Sequence, residues 1–471
     1  MPRRIAQTQE TAGVDCAKRA GAVSIEMKKS RTIAGIEEGI EAGRALRRKL
    51  ARALHAGFQR AAQTPDIIAI IKATNEGRVS KLVPLKMGRM AVSPFTFFRG
   101  AAPVMAADLA PLPVSGLKVQ MCGDAHVRNL GAYAAPDGHL VFDLNDFDEP
   151  IVGPWEWDVK RLATSIILAG REAGCKEVVC GEAVQAMVRS YREALGKFCH
   201  MPVLEMARYE IRREDAPGSL KRVLRKAEHS TAARLLAKLT ETSAHGLPRF
   251  HDEPPVLQHV SEKTAGLVIQ SLKKYRSTLG AGRQLIFDAF RPVDVAFKVV
   301  GTGSVGTRDY VVLMFGNSLS DPLFIQIKEA LPSCYAQYLP GAGSPSHCGQ
   351  RVAQGQQRTQ TVSDPFLGWT SIEGRHYLVR QLADHKASLD PADLSGGVLF
   401  DYAMVCGETL AKAHTRTGPA AMLSGYCGNS DKLDKAVAAF AQAYATQTER
   451  DHTAFQKAIR AGRIKAEKVA K

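Results

Sequence analysis

Three strand-like segments follow one another at residues 297–330, and a glycine-rich turn joins the first two. The segments read FKVVG, RDYVVLMFG and PLFIQIKEA, and the turn contains Gly301, Gly303, Ser304 and Gly306. Runs of Val, Ile, Phe and Tyr that are bounded by Gly and Pro are typical of strands. The pattern predicts a β-hairpin with a further strand after it.

Helical and strand-like blocks alternate along the rest of the chain. LKVQMCGD and HLVFDLND read as strands that end in polar turns, and RHYLVRQL reads as another strand. Residues 155–280 have a helical pattern with an interruption near GLPRFHDEPP, and the end of the chain is helical again. We therefore expect an α/β or α+β protein.

Composition excludes several classes of protein. The 471 residues are 45% hydrophobic and 23% charged, and no stretch approaches the roughly 20 apolar residues of a membrane helix. The N-terminal segment lacks a secretory apolar core, and the nine cysteines include no C-x-x-C pair. We expect a soluble cytoplasmic protein with reduced thiols and without a zinc site.

Positive charge is concentrated at the two ends of the chain. The net charge is +16, and residues 1–60 contain 13 Lys and Arg against 6 Asp and Glu. A basic patch of this kind can bind nucleic acid. However, Gly35–Arg60 has apolar residues at helical spacing with its charges on the other face, so we favour a solvated helix.

The most ordered group of polar residues lies in GDAHVRN and FDLND. Asn129 follows Asp124 by five residues, and Asp143 lies 14 residues beyond Asn129, with Asp146 beside it. Phosphoryl transfer requires a carboxylate that orients the acceptor hydroxyl and oxygen ligands that hold Mg²⁺ against the phosphates. Acids packed this closely repel one another unless a cation neutralises them, which favours a metal site.

Other interpretations of these polar residues stay open. The acids could form a structural turn, capping helices or pairing with Lys160 and Arg161. His126 could stabilise the same turn or contact a substrate. Arg99 could bind a phosphate or an acidic substrate, or it could pair with an acid such as Asp108.

The glycine-rich turn is a second phosphate-binding candidate. Backbone N–H groups of such a turn can approach phosphates, and Lys328 follows Gly306 by 22 residues on a strand from which it can reach them. A dinucleotide-binding fingerprint would require a helix directly after Gly306, whereas TRDYVVLMFG predicts a strand. We therefore favour a hairpin over nucleotide phosphates, with an ordinary tight hairpin as the alternative.

Together these motifs resemble the protein-kinase-like fold, most closely the aminoglycoside and choline phosphotransferases. CGDAHVRN and FDLND are similar to their H-G-D-x-x-x-x-N and I-D-x-x-D motifs, LAKAH is similar to L-A-x-x-H, and IQIKEA resembles the strand with the nucleotide lysine. In those enzymes the glycine-rich hairpin and the lysine strand precede the catalytic loop, whereas here they follow it. The resemblance implies an α+β, protein-kinase-like phosphotransferase core that is circularly permuted and has additional helical regions.

The resemblance also implies ATP and Mg²⁺, with transfer of a phosphoryl group to a hydroxyl of an unknown small molecule or protein. Nucleotidyl transfer, or ATP binding without catalysis, is the alternative on the same fold. The implied residues are the catalytic Asp124, His126 and Asn129, the nucleotide-binding Gly301, Gly303, Ser304, Gly306, Lys328 and Arg380, and the metal ligands Asn129, Asp143 and Asp146. Asp143 and Asp146 are both candidates for the principal metal ligand, and family spacing favours Asp143.

On this basis we divide the chain into five segments. They are a flexible basic leader at 1–34, a helical region at 35–115, a catalytic-loop and helical lobe at 116–295, a β-rich nucleotide-binding lobe at 296–390, and C-terminal helices at 391–471 that complete the helical lobe. Nucleic acid stays a possible but less favoured partner, and we expect no membrane insertion.

The sequence departs from the phosphotransferase pattern at two places. Cys122 stands where those enzymes have His, and no acid lies in residues 330–363 to pair with Lys328. Gln354 and Gln357 could orient Lys328 only by hydrogen bonds.

The chain as a whole resembles an uncharacterised bacterial family, domain of unknown function 2252. The matching stretches include RMAVSPFTFFRGAA, GDAHVRNLG, FDLNDFDEPIVGPWEWDVKRLATS, KVVGTGSVGTR and YLVRQLADHK. The chain is identified as a member of this family on these stretches, and the resemblance implies no particular substrate.

Overall fold

The computed structural model describes residues 35–212, 218, 221, 225, 227–229, 231–243, 246–343, 345–382 and 387–468. The predicted leader at residues 1–34 lies outside the described residues. The helices are α1 (Ile36–Leu46), α2 (Ile67–Ala73), α3 (Val83–Ala91), α4 (Pro94–Gly100), α5 (Ala102–Leu109), α6 (Trp155–Glu172), α7 (Glu177–His200), α8 (Val203–Arg208), α9 (Ala232–Leu239), α10 (Glu262–Arg276), α11 (Ala281–Asp288), α12 (Cys348–Thr359), α13 (Gly397–Thr415), α14 (Ala420–Cys427) and α15 (Lys432–Arg460). The strands are β1 (Lys118–Met121), β2 (Leu130–Ala134), β3 (Leu140–Leu144), β4 (Ile151–Pro154), β5 (Ile211–Arg212), β6 (Thr240–Thr242), β7 (Pro248–Phe250), β8 (Leu257–His259), β9 (Arg291–Lys298), β10 (Asp309–Phe315), β11 (Pro322–Glu329), β12 (Gly368–Ile372) and β13 (Arg375–Gln381).

The main sheet is antiparallel, and its six strands lie in the order β12, β13, β11, β10, β9, β8. Asp309 on β10 pairs with Lys328 on β11, and Gln326 pairs with Arg380 on β13. The strands predicted at RDYVVLMFG, PLFIQIKEA and RHYLVRQL are confirmed as β10, β11 and β13. The strand predicted at FKVVG is confirmed only in part, because β9 runs from Arg291 to Lys298 and includes just Phe297 and Lys298 of that segment.

The two faces of the main sheet belong to different cores. One face packs against α10 and α11 and includes Val312, Met314, Ile325, Ile327 and Val379. The other face packs against residues 239–257 and includes Val311, Leu313 and Phe324. Because side chains alternate along strands, this second face also carries Asp309, Gln326, Lys328 and Arg380.

The largest core joins β1–β4 to the helices α6, α7, α13 and α15. The rings of Trp155 and Tyr191 stack with centroids 5.7 Å apart. Helix α13 approaches α7 closely because Gly407 has no side chain to collide with the carbonyl oxygen of Met187. β1 and β3 confirm the strands predicted at LKVQMCGD and HLVFDLND, whereas β2 was not predicted.

Basic residues after α1 contribute to packing. Arg47 Nε donates to the carbonyl of Tyr426 at 2.9 Å, and Arg52 donates to the carbonyl of Cys427 at 2.5 Å. α1 itself forms as predicted, but the helical pattern of Gly35–Arg60 does not continue as one helix, since α1 ends at Leu46. Part of the N-terminal charge is therefore structural rather than solvated.

The described residues form a mixed α+β structure, as predicted. Residues from Ile36 onwards cluster as one unit, and the boundaries of the predicted lobes stay predictions. None of the described helices is both long enough and apolar enough to span a bilayer.

Candidate functional site

A cavity of about 700 Å³ lies where the glycine-rich turn, the loops after β1 and β3, and the N-terminal helices meet. Its polar lining includes side chains or backbone from these segments and from β11, among them Glu76, Arg78, Lys86, Arg99, Asp124, Asp148, Glu149, Gly303, Ser304, Thr307, Lys328 and Glu329. Of the residues predicted from sequence, the cavity brings together Asp124, Gly303, Ser304 and Lys328.

The loop after β1 is fixed by a carboxylate of α6. Asp158 accepts hydrogen bonds from the backbone N–H groups of Cys122 at 2.8 Å and Gly123 at 3.0 Å. Gly123 has φ +79°, and a side chain there would collide with the carbonyl oxygen of Glu149. Asp158 and the glycine therefore set the direction in which Asp124 leaves the loop.

Asp124 lies at the wall of the cavity, and the buried Arg161 pairs with its carboxylate. Arg161 Nε is 2.7 Å from Asp124 Oδ1, and the Arg161 side chain is fully buried whereas that of Asp124 is 17% exposed. Asn129 Nδ2 donates to the backbone carbonyl of Asp124 at 2.8 Å. Burial raises the pKa of Asp124, and the nearby Arg161 opposes that rise. The Asp124 carboxylate is therefore both paired with Arg161 and accessible from the cavity.

His126 and Asn129 are buried beside Asp124 rather than in the cavity lining. His126 Nε2 lies 3.8 Å from Asp124 Oδ2, and burial lowers the pKa of His126 well below its usual value. The His126 ring also packs edge-on against Phe95, with ring centroids 6.3 Å apart. The catalytic roles predicted for both residues stay predictions.

The acids after β2 separate into two environments. Asp143 forms a buried ion pair with Lys412 of α13, with side chains 3% and 1% exposed. Asp146 and Asp148, in the turn after β3, instead lie near Lys328, with Asp146 Oδ1 3.8 Å from Lys328 Nζ. The structure therefore brings Asp146 and Asp148 towards the cavity and places Asp143 against α13.

Lys328 has a partner that the sequence did not reveal. Its Nζ atom donates to both carboxylate oxygens of Asp148, at 2.6 and 2.7 Å, and not to Gln354 or Gln357 among the described residues. Burial opposes the charge of Lys328, but Asp146 and Asp148 outweigh it, so the pKa of Lys328 lies above its usual value.

Helix α12 supplies an arginine where the resemblance leads one to expect an acid. Arg351 donates to the carbonyls of Pro150 at 2.7 Å, Asp148 at 3.0 Å and Leu331 at 2.7 Å. This side chain ties the helix to the turn that carries Asp148 and to the chain that leaves β11. The helix therefore reaches Lys328 indirectly, through Asp148.

The glycine-rich turn is held from outside by the N-terminal helical region. Arg78 donates to the carbonyl of Val305 at 2.6 Å, Arg89 to that of Gly301 at 2.5 Å, and the N–H of Val79 to that of Gly306 at 2.8 Å. These donors occupy carbonyl oxygens of the turn. The N–H groups of Gly303 and Ser304 donate to no acceptor in the described part of the chain.

The turn leads into a strand rather than a helix. Gly301 and Gly306 have φ of +76° and +90°, and β10 begins at Asp309. A dinucleotide-binding fingerprint needs a helix at this point. The structure therefore excludes that interpretation of the turn.

Arg380 lies apart from the cavity. Its Nε atom donates to Gln326 Oε1 at 2.9 Å, and Gln326 Nε2 donates to Asp309 Oδ2 at 2.7 Å. Burial raises the pKa of Asp309 to about 7. Arg380 does not line the cavity, and the nucleotide contact predicted for it stays a prediction.

Two cavity residues, Arg78 and Lys86, had no sequence signal. Both belong to the N-terminal helical region, where the pattern predicts only helices and loops. Their position at the cavity depends on the packing of α3 and the segment before it against the glycine-rich turn, which includes Leu82 and Leu85 with Val305.

The residues present suit a bound anion and offer carboxylates to a cation. Arg99 Nε is buried with no hydrogen-bond partner among the described residues, and Lys328 and the N–H groups of Gly303 and Ser304 lie in the same lining. The side chains of Asp146 and Asp148 are each 38% exposed. In the described ranges, no three His, Cys, Asp or Glu residues are grouped as a metal site.

Comparison with known proteins gives one match. Residues 78–458 match the model of the family described as "Uncharacterized protein conserved in bacteria (DUF2252)". No curated protein and no solved structure is significantly similar to the chain. The matched range includes Asp124, Lys328 and the glycine-rich turn, whereas Glu76 of the cavity lining precedes it. Because the match covers most of the chain, the chain belongs to the DUF2252 family.

Proposed function

We propose that this protein is an ATP- and Mg²⁺-dependent phosphotransferase with a kinase-like active site. The observation that carries the proposal is the shared cavity of Asp124, Asp148, Lys328 and the glycine-rich turn. Asp148 and Lys328 are 180 residues apart in the chain and in direct contact. Phosphoryl transfer depends on such convergence, because its catalysis is mostly positioning and electrostatic stabilisation.

The order of elements in the main sheet supports a circularly permuted kinase-like core. The glycine-rich turn joins the neighbouring strands β9 and β10, and the lysine strand β11 lies next to β10. Helix α12 follows β11, and strand β13 lies on the other side of β11 from β10. This is the relative order that the resemblance leads one to expect for these parts, with the Asp124 loop placed before them.

Each of these cavity groups has a proposed role at the phosphates of ATP. The N–H groups of Gly303 and Ser304 and the ammonium of Lys328 would bind phosphate oxygens. Asp146 and Asp148 would hold Mg²⁺, whose charge offsets that of the phosphates when it is bound. Asp143 would support the same turn through Lys412.

Asp124 would position the acceptor hydroxyl and take its proton. The acceptor oxygen forms the new bond to the γ-phosphorus, the bond from that phosphorus to the β,γ-bridging oxygen breaks, and ADP leaves with the bonding pair. The acceptor proton passes to the Asp124 carboxylate, whose orientation is fixed by Arg161.

ATP binding without transfer is the second candidate function. The observation that favours it is the contact of Lys328 with Asp148 itself, because α12 supplies Arg351 and no acid for Lys328. A lysine held by a metal-binding acid would leave that acid less free for Mg²⁺.

Thermal unfolding with ATP, Mg²⁺ or both tests the proposed function. A ligand at 100 times its Kd stabilises the native state by about 2.7 kcal/mol. We expect Mg²⁺-dependent stabilisation by ATP that is lost in Lys328→Met and Asp146→Asn and kept in Lys298→Met, a matched control on β9 outside the cavity lining. Absence of any shift at millimolar ATP would refute the proposal. Wild-type binding without ADP formation in an acceptor screen would favour the second candidate.

A further inference from the structure

The end of the cavity that the N-terminal helical region forms contains three basic side chains that form no ion pair with a carboxylate among the described residues. Arg78 donates to the backbone carbonyls of Thr74 and Val305, both at 2.6 Å. Lys86 donates to Thr74 Oγ1 at 2.5 Å and to Asn75 Oδ1 at 3.1 Å. The third is Arg99, whose Nε atom is buried and has no hydrogen-bond partner in the described part of the chain. Within the described residues, none of the three forms an ion pair with an acid.

The carboxylates of the same cavity are already engaged elsewhere. Asp124 pairs with Arg161, and Asp148 pairs with Lys328. Glu149 Oε2 accepts from the N–H of Cys334 at 2.7 Å. Glu329 pairs with Arg308 and Arg375, and Glu76 lies exposed at the rim.

A buried cation without a counter-charge is unfavourable unless a ligand supplies one. Burial lowers the pKa of Lys86 to about 6, and a bound anion would favour its charged form. Burial together with Arg128 lowers the pKa of Arg99, although the carboxylates of Asp124, Asp146 and Asp390 oppose this effect. Arginine and lysine donate charge-assisted hydrogen bonds to phosphate and carboxylate oxygens. The arrangement of Arg78, Lys86 and Arg99 is therefore complementary to an anionic group.

The wall beside these cations is apolar. It consists of small and apolar side chains from the segments around α2 and α5 and from the chain after β11, namely Pro65, Ala69, Ile70, Ala102, Pro103 and Leu331. A cavity of about 700 Å³ has room for a small molecule beside the nucleotide phosphates.

We infer that the phosphoryl acceptor is a small anionic hydroxy compound whose phosphate or carboxylate group is bound by Arg78, Lys86 and Arg99. This inference rests on the proposed function, because Asp124, in the same cavity, then receives the acceptor hydroxyl. It assigns the N-terminal helical region to acceptor binding. The phosphates of the nucleotide are anionic as well, so the experiment distinguishes binding of the acceptor's anionic group from binding of nucleotide phosphates.

The test measures binding of inorganic phosphate and of acetate by calorimetry, to the free protein and to protein saturated with Mg²⁺ and a non-hydrolysable ATP analogue. We expect either anion to bind in the millimolar range and to bind equally well beside the analogue. Loss of one charge-assisted contact costs about 1.5–3 kcal/mol, which corresponds to a roughly 10- to 100-fold weaker affinity in Lys86→Met and in Arg99→Met. Both variants should keep the affinity for the analogue.

Lys72→Met and Lys81→Met are matched controls, because both lysines are exposed in the same region and outside the cavity lining. They should bind phosphate like the wild type. Failure of both anions to bind, or competition of phosphate with the analogue, would overturn the inference. Phosphate binding that depends on Lys86 and Arg99 in a protein that does not bind the analogue would uphold the anion site and refute the proposed function instead.

Discussion

Lys328 Nζ lies 2.6 Å from Asp148 Oδ1, so one ion pair joins the main sheet to the turn after β3. The Lys328 side chain is 5% exposed, and that of Asp148 is 38% exposed. Arg351 binds the backbone carbonyl of the same Asp148 from α12. The position of the lysine therefore depends on the acidic turn, and the acidic turn depends on the helix.

Removal of either member of this pair should destabilise the protein. We expect Lys328→Met to lower the free energy of unfolding by about 1–3 kcal/mol, less than the roughly 3–5 kcal/mol of a fully buried pair, because water reaches Asp148. Asp148→Asn should act similarly, and the double variant should lose less than the sum of the two. Urea unfolding measures all three, and additive losses would contradict a direct interaction.

The two environments of the acids predict different consequences of neutralisation. Asp143→Asn should cost about 3–5 kcal/mol of stability, because it leaves Lys412 buried and unpaired. Asp146→Asn, on a half-exposed side chain, should change stability little but abolish Mg²⁺-dependent stabilisation by ATP. Chemical unfolding and nucleotide titration separate the two effects. Strong ATP binding by Asp146→Asn together with none by a folded Asp143→Asn would restore Asp143 as the principal metal ligand.

Gly123 allows the loop after β1 to approach the turn between β3 and β4 at Glu149. Gly123→Ala should be destabilising by more than the about 1–2 kcal/mol that positive φ alone costs, because the new Cβ also meets the carbonyl of Glu149. Gly138→Ala is the matched control, since Gly138 has φ +91° and open space around it. Equal losses of stability in the two variants would show that the contact with Glu149 has no energetic effect.

The sequence predicted the strands β1, β3, β10, β11 and β13, but it missed shorter strands such as β2, β4 and β12 and the long-range contacts. The strands β10, β11 and β13 and the glycine-rich turn follow from residue type and alternation. β2 reads LGAYA, whose small residues give no alternation signal. No local pattern can show that Asp148 reaches Lys328, or that Arg78 and Arg89 reach the glycine-rich turn. Spacing alone likewise could not separate Asp143 from Asp146, because only the packing of α13 places Lys412 beside one of them.

Lys86 should make stability depend on pH in a defined direction. In the folded protein its pKa is lowered to about 6 by burial and by Arg78, whereas its usual value is 10.5. Between these pH values the unfolded chain binds a proton that the folded protein does not, so the free energy of unfolding rises with pH, by up to about 1.4 kcal/mol per unit. Lys86→Met removes this contribution and should be more stable than the wild type at pH 6, with the difference shrinking towards pH 10. Lys81→Met, at an exposed position, should show no such trend. A stability difference between Lys86→Met and wild type that stays constant across this pH range, measured by urea unfolding without added anions, would show that Lys86 keeps its ordinary pKa in the folded protein.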